Sequence, residues 1–323
     1  MNSTVVLALI PTEGQVVERL SSIDWAVIVG FLLLMVGIGF FYSKQSKNKE
    51  DYLLGGRSMN PLMVGLSLFA TLLSTLSYLA YPGEMIKNGP IFFFGILACP
   101  LAYYIIGRFI IPEFMKLKVT SAYEVLEVKL GTMVRDLGTV FFLMLRFLWM
   151  STILYATVNT ALIHIMGLDV SYVPWVCFIL ATITVFYTTL GGIKAVVMTD
   201  AIQSGILFFG AILAVIIITK DFGYSTEWLP KQWLPHWKEL AWGIDFNERL
   251  TIGNAIVFVL LWKICTSGSD QMAVQRYLST KDIRSAKKSL SVSLWSSAMV
   301  QIVLAILGLA IASYFLEYPK YLG

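Results

Sequence analysis

The sequence predicts an all-α membrane protein with about eight transmembrane helices, on three observations. Of the 323 residues, 57% are apolar and only 14% charged, against roughly 25% charged in a soluble domain. Mean hydropathy is +0.75. The apolar residues also gather into runs close to the ~20 residues a helix needs to cross a bilayer. The same values exclude disorder, which requires low hydrophobicity and high net charge, and a single soluble core, which could not hide this much apolar surface. A net charge of +4 points to no nucleic-acid partner.

The spans are expected at 24–43, 60–86, 90–115, 137–163, 171–190, 195–219, 251–274 and 286–316. The first twenty residues lack a basic n-region and a small-residue cleavage site, so they are not read as a signal peptide. The run from Trp25 to Tyr42 is the first insertion signal. Basic residues set the orientation. Fourteen Lys and Arg follow the odd-numbered spans, from Lys44 to Lys288, and seven lie on the other side: Arg19, Lys87, Lys220, Lys231, Lys238, Arg249 and Lys320. The positive-inside rule puts the fourteen in the cytoplasm and both chain ends outside. Cys99, Cys177 and Cys265 are dispersed and form no CxxC pair, and His164 and His236 are the only histidines. Neither a disulfide framework nor a zinc site is expected.

The 220–250 connection carries Trp228, Trp233, Trp237 and Trp242. They suit an interface belt, with an outer lid or sugar-stacking platform as the alternative. His236 within it is expected to be solvated. The second span holds Ser67, Thr71, Ser74, Thr75 and Ser77 and closes on Pro82-Gly83. Hydroxyls can cap freed carbonyls, and broken backbone at membrane depth survives only where protein buries it or it lines a cavity. Such breaks hold ions in secondary transporters. Packing through small residues is the alternative. The seventh span is interrupted in the same way at Thr266, Ser267, Gly268 and Ser269.

Three basic residues fall well inside spans: Arg108, Arg146 and Lys263. Arg108 can snorkel to an interface. Arg146 lies about eleven residues beyond Arg135, roughly 16 Å deep at 1.5 Å per residue. It either attracts an anionic solute or is bonded to carbonyls. Lys263 beside the second interruption is open to either role.

Four motifs, in order, resemble those of the sodium:solute symporter family. Asp51-Tyr52-Leu53-Leu54-Gly55-Gly56-Arg57 looks like the family's (D/E)(F/Y)xxGGR, and Leu66-Ser67-Leu68-Phe69-Ala70-Thr71 like LSLxAS. Gly191-Gly192-Ile193-Lys194-Ala195-Val196 with Thr199-Asp200-Ala201-Ile202-Gln203 looks like GG(I/L)xAV…TDxxQ. Asp270-Gln271 with Gln275-Arg276 looks like DQxxxQR. The resemblance implies an inverted-repeat, LeuT-like fold of five plus five helices. Residues 24–43 would be an extra N-terminal helix, 60–219 the first repeat and 251–316 the start of the second. The family's next helix, with its adjacent serines, would lie beyond Gly323, so the chain is expected to be C-terminally truncated.

The resemblance also implies site residues. Ala70 and Leu73 match two backbone-carbonyl ligands for sodium, the co-transported ion. Asp200 matches an acidic residue linked to ion release or gating, with a helix N-cap as the alternative. Tyr81 matches an outer gate residue. Leu72 and Ser77 stand where sugar-carrying relatives place Asn and His or Gln, and Ser297 stands in place of a lysine. Ser74, Thr266 and Ser267, hydroxyls at the two interruptions, complete the pocket candidates. A wall this apolar could not pair a sugar's many hydroxyls, and unpaired polar groups are costly. The expected function is therefore sodium-coupled symport of a small solute, a monocarboxylate or other small anion, by alternating access. A sugar symporter or a non-transporting membrane sensor is the alternative. Without a pocket lysine, anion attraction would fall to Arg146 or to helix dipoles. No Ser/His/Asp set, HExxH or phosphate loop suggests an enzyme. Expected partners are sodium, the solute and the lipid bilayer, and the sequence sets no oligomeric state.

Overall fold

The computed structural model describes residues 20–318 apart from Lys47, Ser74, Lys118 and Glu227, and apart from the side chain of Thr75. The pocket candidate Ser74 and the basic residues Arg19, Lys47, Lys118 and Lys320 thus lie outside the described residues. Helices account for all regular structure among those described.

Helix α1 (Ser22–Ser43) opens on a capping box: Ser21 Oγ accepts from Asp24 N–H while Asp24 accepts from Ser21 N–H. Such a reciprocal pair satisfies two of the donors a helix start leaves free. A short α2 (Lys49–Leu54) leads into a left-handed turn at Gly55, Gly56 and Arg57, with φ of 62°, 70° and 51°. Two glycines make this turn affordable for one arginine. The expected second span is two helices, α3 (Pro61–Leu72) and α4 (Thr75–Asn88), broken at Leu73. Pro82 lies inside α4 and does not end it; Gly89, at φ 76°, follows the last turn instead. The expectation that Pro82-Gly83 closes the span is thereby corrected.

Next comes α5 (Pro90–Lys116), a composite of 3-10, α and π turns. A short α6 (Ala122–Leu130) precedes α7 (Thr132–Met166). Helix α8 (Val173–Asp221) is two helical arms joined at Gly192, whose φ 60° and ψ −163° are not helical. Tyr187 touches α1 at Gly39, and Gln203 reaches Met35. Sixteen residues of straight helix span about 24 Å, whereas Met35 and Gly39 are only about 6 Å apart. Helix α8 therefore folds back on itself and supplies two spans, as the sequence predicts.

Gly192 must be glycine for two reasons. Its ψ places it in a region that side-chain-bearing residues rarely adopt, and a Cβ there would meet Tyr52 O at 2.7 Å. Gly192→Ala is expected to cost more than about 2 kcal/mol through strain and overpacking. Gly205→Ala, with nothing within 4 Å, should be neutral. Equal thermal unfolding of the two variants would disprove this account of the turn.

The described residues between 225 and 251 carry no helix before α9 (Ile252–Ser269), whose last six residues form a π turn. Asp270 is extended, and α10 (Gln271–Leu278) and α11 (Ile283–Glu317) follow. Asp282 caps α11, and hydrogen bonds from Ser285 hold its carboxyl below the usual range. Six helices are long and apolar enough to cross a membrane, and the bent α3–α4 pair makes a seventh. With α8 crossing twice, the total among the described residues is eight. The main core joins Leu68 of α3, Ala102 and Ile106 of α5, Tyr277 of α10 and Leu290 of α11.

Candidate functional site

The broken helix is the centre of the site. Leu73 turns extended at φ −98°, ψ 117°, and its N–H closes the last turn of α3 onto Phe69 O at 3.0 Å and Ala70 O at 3.3 Å. Helix α4 leaves at 68° to α3. The last carbonyls of a helix lack intrahelical donors and carry the negative end of its dipole. A chain that breaks here presents backbone oxygens of the kind hard cations prefer. Ala70 and Leu73 both stand at this end.

The α4 side of the break is aromatic. Ser77 and Tyr81, one turn apart, hydrogen-bond to each other, and Tyr81 packs against the rings of Phe92 and Phe93, with centroids 5.8 and 6.2 Å away. The 225–251 segment folds over this end. Trp237 is buried against Met85 and Phe93, and its indole N–H donates to Ile86 O at 3.2 Å. His236 Nε2 lies 2.9 Å from the same carbonyl. His236 is therefore bonded and half-buried, which corrects the expectation of a solvated ring. Trp228 is buried as well, whereas Trp242 is 72% exposed. The four tryptophans thus divide between packing and exposure.

At the second interruption, Thr266 is satisfied locally by donating to Trp262 O at 2.8 Å. Ser267 is fully buried. Its carbonyl accepts from Tyr277 at 2.6 Å, but its hydroxyl has no partner among the described residues. One turn earlier, Lys263 is buried and donates to Ser297 Oγ at 2.9 Å. Gln301 Nε2 lies 3.2 Å from the same oxygen. Residue 297 is thus not a lysine, yet an ammonium group reaches it from α9. Sequence reasoning missed Gln301. Its signal was the four-residue spacing from Ser297 on an otherwise apolar helix, which puts the two on one face.

The motifs meet around Ser67 in the middle of α3 and at the turn that precedes this helix. Ser67 donates to Asp200 at 2.6 Å, and Arg276 donates to Ser67 Oγ at 2.8 Å and to Asp200 at 2.9 Å. Ser67 is fully buried and Arg276 is 3% exposed. Asp200 lies two turns beyond Gly192, inside the second arm of α8, so the N-cap alternative is excluded. Arg146 forms an ion pair with Asp270, which also caps α10 through Met272 N–H at 2.9 Å. The charge of Arg146 is thereby already met, by a carboxylate and not by carbonyls. Gln271 accepts from Ala122 N–H at 2.6 Å, and Gln275 donates to Leu53 O at 2.8 Å. Tyr52 donates to Thr189 O at 2.7 Å, beside the α8 turn. Residues spread from 52 to 276 therefore converge on one cluster. It ties α3, both arms of α8 and α10 together, and holds α6, α7 and the second interruption to them.

A family model described as the sodium:solute symporter family matches residues 52–323. The sodium/sialic acid symporter SiaT of Proteus mirabilis is 31% identical over 311 residues, covering 93% of this chain and 60% of the relative. Sodium-coupled monocarboxylate transporter 1 of Mus musculus is 31% identical over 300 residues, covering 91% and 48%. The sodium-dependent multivitamin transporter of Oryctolagus cuniculus is 30% identical over 325 residues, covering 96% and 49%. A solved structure, described as the substrate-bound outward-open state of a Na+-coupled sialic acid symporter, superposes with a TM-score of 0.78 at 29% identity, covering 93% of this chain and 63% of that one. The chain thus spans about half to three-fifths of the length of these relatives.

Proposed function

This chain belongs to the sodium:solute symporter family, and from that premise we propose that it takes part in sodium-coupled symport of a small organic anion. The observation that carries the proposal is the break at Leu73, which turns the carbonyl end of α3 toward the interior of a multi-pass membrane protein. Sodium, as cargo, is held there in part by the carbonyls of Ala70 and Leu73, where a hard cation finds oxygen ligands. Its binding orders the break, the solute binds beside it, and the helices rock around the loaded site. Sodium and solute raise each other's affinity by one and the same factor. Ser77, Tyr81, Ser267 and Ser297 face the solute path on this reading, with Thr266 at its edge. Asp200 releases or gates the ion through its bonds to Ser67 and Arg276.

On the same reading, residues 24–43 are an accessory helix, 60–219 the first repeat and 251–316 the start of the second. The basic motif end is cytoplasmic by the positive-inside rule, and the N-terminus is outside. The anion preference rests on the apolar pocket wall and on a relative named for monocarboxylates. It remains distinct from a sugar preference, which would need many oriented hydrogen bonds.

Uptake of labelled lactate and glucose in vesicles, with and without a sodium gradient, tests the proposal. Sodium-driven lactate uptake is the expected result, and sodium-driven glucose uptake without lactate uptake would reject the anion. Because the proposed ligands are backbone oxygens, Leu73→Ala is expected to change sodium affinity by no more than about threefold, less than 1 kcal/mol. A sodium-induced rise in unfolding temperature, titrated in both proteins, measures it. A loss of tenfold or more would move the ligand role to the side chain.

A further inference from the structure

We infer that Lys263, with Ser297 and Ser267, is the element that reads a carboxylate on the transported solute. This rests on the symport reading above and adds the group that selects the substrate by charge. Lys263 is 7% exposed and lies in the middle of the bundle, between α5, α9 and α11. Burying an ammonium group is expensive unless a counter-charge and hydrogen bonds repay it. The other buried cation among the described residues, Arg276, has such a partner in Asp200, and the half-buried Arg146 has Asp270. Lys263 pairs with no carboxylate within 4.0 Å among the described residues, and the one titratable group acting on it is the Cys99 thiol.

The hydrogen bonding around it is equally one-sided. An ammonium has three N–H donors, and one of them is used, on Ser297 Oγ. Gln301 approaches that same oxygen at 3.2 Å. The Ser297 hydroxyl proton has no acceptor among the described residues. Four residues beyond Lys263, the fully buried Ser267 hydroxyl is unpartnered. The cluster thus has unused donors on Lys263 and on the Ser267 hydroxyl, and no carboxylate among the described residues to meet the ammonium. A carboxylate supplies the complement: one negative charge and about four lone-pair sites. Charge-assisted bonds of this kind are short and strong. A neutral amide of the same shape would bring no charge to meet the ammonium. The location suits this role, because α11 packs along both α3 and α4 and so sets the cluster one helix away from the break.

The test compares wild type, Lys263→Met, Lys263→Arg and Ser297→Ala for binding of lactate, propionate and benzoate and of their amides. Binding is read as ligand-induced stabilisation, with and without sodium. The wild type should prefer acid over amide by about tenfold or more. Lys263→Met should lose that preference yet keep its response to sodium alone, and should unfold at an equal or higher temperature without ligand, since it removes an uncompensated charge. Lys263→Arg should keep the acid preference, and Ser297→Ala should weaken acid binding while leaving the response to sodium alone. An undiminished preference in Lys263→Met would overturn the inference, as would a wild type that binds amides as well as acids or binds no carboxylate. If Lys263→Met does not fold, the wild-type and Lys263→Arg comparisons decide. An acid preference that persists without any sodium dependence would reject the symport reading and leave Lys263 in its role.

Discussion

Asp200→Ala is expected to abolish sodium-dependent uptake and to destabilise the protein by about 3–5 kcal/mol, the usual cost of removing one partner from a buried ion pair. The reason lies in what stays behind. Arg276 is 3% exposed, and its remaining bonds would go to the Ser67 hydroxyl and the Met272 carbonyl. Neither can neutralise a guanidinium. Asp200→Asn keeps an acceptor for Ser67 and should cost less. Pairing Asp200→Ala with Arg276→Met removes both charges and should recover much of the stability, with a coupling energy above about 1.5 kcal/mol in a double-mutant cycle. Transport should not recover, because the link between α3, α8 and α10 is gone. Thermal unfolding in detergent and vesicle uptake read the two effects separately. Additive single-variant costs would show that the pair is not coupled.

Arg146→Met should have the second largest effect, about 3 kcal/mol, since it leaves Asp270 charged and only 17% exposed. Asp270 also caps α10, so two functions can be separated. Asp270→Asn keeps a competent cap and breaks only the charge pair, whereas Asp270→Ala loses both. The expected order of stability is wild type, then Asp270→Asn, then Asp270→Ala, with the two variants about 1 kcal/mol apart, the typical worth of a cap. Equal stability of the two would show that the cap contributes nothing here. Because this pair joins α7 to the second interruption, Asp270→Asn should also slow uptake while leaving sodium binding at the α3 end within about threefold, less than 1 kcal/mol.

Much of this was legible in the residues. Hydropathy runs marked eight spans, and the structure has six helices and one bent pair apolar enough to cross, of which α8 folds into two arms at Gly192. Hydroxyls in the second and seventh spans marked two interruptions, and both exist. The end of the second span was misread, however. Pro82-Gly83 looked like the stop, but a proline within a helix removes one hydrogen bond, and the packing of α11 at Gly308 against Pro82 supports the helix through it. The break falls at Leu73, a residue with no local propensity to end a helix. The four motifs could be matched as strings, but not their meeting. Tyr52 against Gly192, Gln275 on Leu53, and Arg276 on Ser67 and Asp200 are contacts between residues far apart in the chain.

The charges show the difference most clearly. That Arg146 and Lys263 sit inside spans follows from sequence alone, because depth is counted along one helix. Which of them is neutralised does not follow, because a partner can come from any helix. Composition and periodicity act through local, additive quantities: apolar area, helical rise and the count of charges on each side. These determined the membrane class, the spans and the interruptions. Ion pairing depends on distances of a few ångströms between separate helices, and a quarter turn of either helix would exchange one partner for another. Only the tertiary structure could therefore give Arg146 to Asp270, bring Asp200 to Arg276, and leave Lys263 with hydroxyls for company.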